Sequence, residues 1–231
     1  AYIGPSIRSV VPALGPEQGG TLVAINGANM VRGTSAFCRF GYGASSPALW
    51  ISTTRMQCVS PPMTSGTVSL SLIPQPTSKT PVATWQFEYQ AAATIFSVQP
   101  SRGPASGGST VMLLGSHFSL RAADLGYLRC RFNLTTSVAR FVNDSALTCT
   151  SPAHMGDAGA LALATSVPIE MSNNLQDFTN SGIYFEYQSE VHLVSVAPAG
   201  GPTSGGSLVT VEGENFASGL TLCRFGDNAV P

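Results

Sequence analysis

The sequence predicts an all-β chain of small β-sandwiches in tandem, the third of them incomplete. Three observations carry that expectation. The phrase Gly-Pro-x-x-Gly-Gly is written three times, from Gly15, Gly103 and Gly201, at spacings of 88 (15 to 103) and 98 (103 to 201) residues. Each spacing matches one sandwich of about 100 residues. Every copy lies between short apolar runs of strand character, and no stretch shows a sustained 3.6-residue apolar period with caps. Residues 121 to 128 read as one short helical turn at most, and 157 to 165 fit no class by pattern.

Taken in order, each repeat opens with an apolar run, Ile7 to Val11, Ile95 to Val98 and Leu193 to Val196, which reads as a first strand. The glycine phrase then reverses the chain: proline fixes φ and the glycines permit positive φ, so the turn needs little space. In the second strand Val23, Val111 and Val209 share a face with Ile25, Leu113 and Val211 by alternation. A turn follows each (Gly27-Ala-Asn-Met30, Gly115-Ser-His-Phe118, Gly213-Glu-Asn-Phe216), and its last, large residue is expected to plug the core. The third strand carries Phe37-Cys38-Arg39-Phe40-Gly41, Arg129-Cys130-Arg131-Phe132-Asn133 and Leu222-Cys223-Arg224-Phe225-Gly226. Its Cys and second Phe are assigned to opposite faces unless a bulge resets the register. Second cysteines follow in Cys58-Val-Ser-Pro-Pro62 and Cys149-Thr-Ser-Pro152, and Trp85-Gln-Phe-Glu-Tyr89 and Tyr184-Phe-Glu-Tyr187 read as final strands.

These marks divide the chain at 1–91, 92–190 and 191–231. Repeat two has grown internally, with 22 residues against 18 from double glycine to Cys (108 to 130, 20 to 38). It also has 38 against 31 from second Cys to final Tyr (149 to 187, 58 to 89). The junctions are both 14 residues (Tyr89 to Gly103, Tyr187 to Gly201), and equal short junctions predict modules packed end to end rather than tethered. Repeat three stops after its third strand, and the sequence begins with neither Met nor a signal-like stretch, so the natural polypeptide is expected to continue.

Charged residues make up 10% of the chain, with eleven basic against twelve acidic, which leaves no strong field to attract nucleic acid or anionic lipid. No run approaches the roughly 18 apolar residues of a membrane helix.

Together, the glycine phrase, the Gly-x-Asn-Phe turn, Cys-Arg-Phe-Gly, Cys-x-Ser-Pro-Pro and the terminal Phe-x-Tyr resemble the IPT/TIG family of immunoglobulin-like domains over nearly the whole chain. Repeat two departs from the pattern with Asn133 in place of Gly and His117 in place of Asn. The family occurs in plexins and related receptors, large surface proteins, some transcription factors and starch-acting enzymes, so the resemblance implies the immunoglobulin-like sandwich and leaves function open.

Five cysteines form two complete pairs and one remainder. An even count per finished repeat favours the bridges Cys38–Cys58 and Cys130–Cys149 over free thiols, and places a partner for Cys223 outside the chain. Buried reduced thiols in a cytosolic sandwich are the alternative. Zinc is disfavoured, since no Cys-x-x-Cys occurs and the histidines are distant in sequence. Asn133-Leu-Thr135 and Asn143-Asp-Ser145 fit the N-glycosylation acceptor pattern, and both lie between Cys130 and Cys149, on what reads as one part of the second domain.

His117, His154 and His192 fall in three unrelated contexts and read as surface or capping residues. Asp124, Asp144, Asp157 and Asp177 lack the spacing of a calcium loop, and Glu212 and Glu214 read as a solvated turn. No nucleophile elbow, phosphate loop or His-Glu-x-x-His is present, so no catalytic residue, metal ligand or cofactor is expected.

The leading functional expectation is a non-enzymatic structural or recognition segment of a large extracellular or cell-surface protein made in the secretory pathway. It would be a semi-rigid rod that mediates assembly or adhesion, as a receptor ectodomain or surface filament subunit, with protein partners or copies of itself. The alternative is an accessory carbohydrate-contacting or spacer module of a secreted enzyme. Trp50 and Trp85 are the candidates for stacking on sugar, though core packing is favoured for both, more strongly for Trp85. A DNA-binding factor would need a basic surface that eleven scattered Lys and Arg do not supply.

Overall fold

The computed structural model describes residues 4–33, 37–42, 44–77, 79–154, 165–216 and 222–230. Nine strands build the first module: β1 (Ser6–Val11), β2 (Leu14–Pro16), β3 (Leu22–Ala28), β4 (Phe37–Phe40), β5 (Ala44–Pro47), β6 (Leu49–Ser52), β7 (Arg55–Val59), β8 (Gly66–Ile73) and β9 (Ala83–Gln90). They form two sheets, β1-β3-β7-β6 and β2-β9-β8-β4-β5, in which only β2 runs parallel to its neighbour. The second module repeats the plan with β10 (Thr94–Gln99), β11 (Arg102–Pro104), β12 (Thr110–Ser116), the helix α1 (Leu120–Asp124), β13 (Arg129–Phe132), β14 (Thr135–Asn143), β15 (Ala146–Thr150), β16 (Thr165–Ser172) and β17 (Tyr184–Gln188). Two short ribbons follow, β18 (His192–Ala197) with β19 (Thr210–Glu214) and β20 (Cys223–Phe225) with β21 (Asn228–Val230).

The modules differ in one strand. In the first, β5 pairs with β4 and β6 with β7, and Ala48 separates them. In the second, β14 is continuous: it pairs with β13 through Val138 and with β15 from Ala139 onward, so a single strand crosses between the sheets.

Each core is centred on three aromatic rings. Phe40 meets Phe87 edge-on at 5.4 Å with Tyr89 alongside, and Phe132 meets Phe185 at 5.4 Å with Tyr187 alongside. Edge-to-face packing of this kind adds to burial itself, which is worth ~1.5–3 kcal/mol per large apolar side chain. Val23, Ile25, Val111 and Leu113 are fully buried on the inner face, and Met30 and Phe118 close the ends of their cores. Phe216 is 41% exposed, because the described part of this repeat has only two two-stranded ribbons and no full sandwich to bury it. Cys38 and Phe40 are both buried, as are Cys130 and Phe132, which corrects the assignment to opposite faces. The two residues are two positions apart in an unbulged strand, and period 2 puts them on one side.

Helix α1 begins one residue before the segment read as a helical turn, 121 to 128, and overlaps it as far as Asp124. Segment 157–165 lies outside the described residues up to 164, and Thr165 starts β16. Asn133 (φ 54) and His117 (φ 59) take the left-handed backbone of their counterparts Gly41 (φ 63) and Asn29 (φ 58), so the departures in repeat two leave the turns unchanged.

Candidate functional site at the junction of the first two modules

The glycine phrase is a clasp within each of the first two modules. Gly19 N donates to Pro16 O and Gly20 N to Ser60 O, while Ser60 N donates to Thr21 O and Thr21 N returns a bond to Ser60 Oγ at 3.1 Å. Gly107, Gly108, Ser109 and Ser151 repeat the same set. The serine of Cys-x-Ser-Pro is therefore the acceptor that fixes the phrase, a role the sequence pattern alone did not reveal. Both glycines of each pair have positive φ, 74° and 88° in the first copy and 79° and 80° in the second.

Beyond this clasp the first module meets the second. Leu14 of β2 is fully buried, and its side chain packs with the core of the second module rather than its own. Over it lies the segment that follows β16. Strand β17 pairs with β16 only from Thr165 to Pro168, whereas β9 runs along β8 as far as the Leu72–Ala83 pair. The stretch before β17 stays on β16 through the Ser172–Phe178 bridge and through backbone bonds of Thr179 to Met171 and of Ile169 to Ile183, while residues 173–177 loop out toward the first module.

Asn174 is the hub of that segment and is almost fully buried. Its Oδ1 accepts from Asp177 N at 2.8 Å and Gln176 N at 3.2 Å, and its Nδ2 donates to Asp177 Oδ2 at 2.6 Å, Leu14 O at 3.4 Å and Thr21 Oγ1 at 3.4 Å. Thr21 Oγ1 donates to Asp177 Oδ2 at 2.5 Å. Gln176 takes Leu22 by both backbone groups, Leu22 N to Oε1 at 3.0 Å and Nε2 to Leu22 O at 2.8 Å. A buried amide with all its donors and acceptors engaged fixes an interface, since moving it leaves polar groups unpaired in a dry site.

A second set of contacts comes from α1, which lies in the stretch where repeat two carries its four extra residues. Arg121 forms an ion pair with Glu88 of β9, and Gln90 Nε2 donates to Ser119 Oγ at 2.8 Å. Ser119 also caps the helix by accepting from Ala122 N at 3.1 Å. Between the two contact sets lies a cavity of about 320 Å³, bordered by Leu14, Pro16, Ala92, Asn173 and Asn180.

Cys38 of β4 and Cys58 of β7 are joined as a disulfide, as are Cys130 of β13 and Cys149 of β15, with Cα separations of 6.3 and 6.4 Å. In the first module the bridge ties one sheet to the other. Cys223 is a half-buried thiol. Asn133 and Asn143 are exposed at opposite ends of β14, which corrects their assignment to one part of the domain, because a nine-residue strand separates them.

His117 sits in its turn against Ala92 O, and His154 stacks on Tyr187 at 4.8 Å. Asp177 belongs to the junction and Glu212 accepts from Ser195 Oγ, while Asp157 lies outside the described residues. Trp50 donates to Met30 O at 2.9 Å and packs on the first core. Trp85 is 37% exposed, against the expectation of core packing, because the burial of β9 on that face ends at Phe87.

Comparison with known proteins gives one family and a set of relatives. The family model described as the IPT/TIG domain matches residues 5–89, 93–187 and 192–231. Plexin-A2 of Homo sapiens is 30% identical over 162 residues, covering 65% of this chain and 8% of its own length. Plexin-A2 of Mus musculus is 28% identical over 164 residues, covering 68% and 8%. The chain thus spans 8% of the length of these relatives. Among solved structures, the plexin A4 full extracellular region superimposes with a TM-score of 0.54 at 18% identity, over 90% of this chain and 18% of that one, a likeness of fold.

Proposed function

The chain belongs to the IPT/TIG domain family, and from that premise we propose that it is a non-enzymatic segment of a receptor ectodomain, a rod of modules at 1–91, 92–190 and 191–231 that sets the spacing and direction of the regions it joins. Two closed disulfides and plexin relatives make it an extracellular or cell-surface chain. Its partners are other proteins or further copies of itself.

The observation that carries the rod is the junction. A flexible tether would leave Leu14, Asn174 and the Leu22 backbone to solvent, whereas here an apolar plug, a saturated amide hub and a second row of contacts from α1 bind the first module to the second. Parting the modules would leave buried polar groups of this network unpaired, which restricts the angle between them.

Electron microscopy of the intact protein tests this. One class of angle between the first two modules is the expected outcome, and a broad spread of angles overturns the rod. The accessory-module reading draws on the exposed ring of Trp85 alone, and a blank carbohydrate array would remove it.

A further inference from the structure

We propose that Asn133 and Asn143 each carry an N-linked glycan, so that the second module holds sugar at both ends of β14 while the equivalent positions of the first, Gly41 and Ser52, stay bare. The inference rests on the extracellular placement of the chain and on the geometry of two turns.

Asn133 starts the two-residue turn between Phe132 and Thr135. Its left-handed backbone (φ 54) is one asparagine adopts readily, and its N–H is held by Pro168 O at 2.9 Å. The side chain is exposed, and Leu134 beside it is 87% exposed, so a sugar there meets only solvent. Asn143 ends β14, and its Oδ1 accepts from Ser145 N at 2.9 Å in an Asx turn. That bond uses the oxygen. The nitrogen that would bear the sugar has no partner among the described residues, so modification leaves the turn intact.

In the transfer, Asn Nδ2 attacks the anomeric carbon of a lipid-diphosphate-linked oligosaccharide. The N–C bond forms, the C–O bond to the diphosphate breaks, Nδ2 gives up a proton and the lipid diphosphate departs. Thr135 and Ser145 supply the hydroxyls that complete the two acceptor patterns. Neither asparagine takes part in the junction, so two glycans leave the rod contacts untouched. They would also flank the exposed face of β14, where Arg140 lies between Val138 and Val142, which are 70% and 50% exposed.

The test is peptide N-glycosidase treatment, in heavy-oxygen water, of the intact protein secreted by cultured mammalian cells, followed by peptide mass mapping. The expected result is labelled Asp at positions 133 and 143, with one label lost in Thr135→Ala and the other in Ser145→Ala. An unlabelled Asn133 or Asn143 in the natural sequence overturns the two-ended arrangement. If both are unlabelled in protein that is secreted with its disulfides closed, the glycans fail while the receptor reading stands.

Discussion

Gln176 stands in for a missing strand residue beside Leu22. Strand β3 pairs with β7 at Leu22–Val59, but on its other edge β1 ends at Val11, opposite Ala24, and the chain turns away at Pro12. The Leu22 N–H and C=O on that edge are taken by the side-chain amide of Gln176 at 3.0 and 2.8 Å, so an amide from the second module extends the sheet of the first. Gln176→Ala leaves both groups to water and is expected to cost no more than ~1 kcal/mol, since the site is exposed. Its signature is local. Amide hydrogen exchange at Leu22 should quicken while Ile25, in the core of the same strand, keeps its protection. Equal protection of Leu22 in both proteins would show that the amide is not holding the junction.

Removing one partner of the Arg121–Glu88 pair should matter for orientation more than for stability. Both side chains are partly exposed, and such pairs are worth about 0–1 kcal/mol and weaken with salt. Arg121→Glu places two carboxylates together, and the double variant Arg121→Glu with Glu88→Arg restores the attraction. Small-angle scattering should show a wider spread of module angles in the single variant and recovery in the double. Identical curves for all three would remove α1 from the junction.

Much of this was legible in the sequence, and what was missed has a physical reason. Val23, Ile25, Val111 and Leu113 alternate because one face of each sheet is buried, so the repeat and the period disclosed the fold. The equal 14-residue junctions pointed to packed modules, but not to Asn174, Gln176 and Asp177, whose task depends on residues 173–177 looping out between β16 and β17. The four extra residues before Cys130 were visible as a length difference, yet only three-dimensional placement sets Arg121 against Glu88. Trp85 was misassigned because alternation gives the side of a strand and not whether another sheet covers it.

The two glycines of the clasp should respond differently to alanine. A Cβ on Gly107 would lie 2.5 Å from Pro152 C and 2.6 Å from Ala153 N, whereas one on Gly108 meets nothing within 4 Å. Both have φ near +80°, which costs a non-glycine residue ~1–2 kcal/mol. Gly108→Ala should therefore lose about that amount, and Gly107→Ala should lose clearly more, because backbone must shift as well. Equal losses in denaturant unfolding would mean that the clasp yields easily.

The disulfide of the second module closes a separation of 19 residues, for which the chain-entropy model gives ~3 kcal/mol. Replacing both Cys130 and Cys149 by Ala should lower unfolding stability by roughly that much, with the first module's unfolding unchanged apart from what the junction transmits. A loss well below ~1 kcal/mol would show that the aromatic core holds the sheets together without the bridge.

Alkaline pH should weaken both cores through their buried tyrosines. Burial pushes the Tyr187 phenol up to about 12 and raises Tyr89 further, because the phenolate would lose its water in the dry core. In the unfolded chain both ionise near about 10. Above that pH the unfolded state sheds protons the folded state keeps, so stability is fully present below about pH 10 and falls as pH rises toward about 12. Tyr187 Oη also donates to Pro152 O at 2.9 Å, so Tyr187→Phe should lose about 0.5–1.5 kcal/mol at neutral pH yet show a shallower decline in alkali. The check is an ultraviolet titration of the six tyrosines beside denaturant midpoints over the same range. A single ionisation step for all six near about pH 10, with no cooperative loss of structure, would mean that Tyr187 and Tyr89 are open to water.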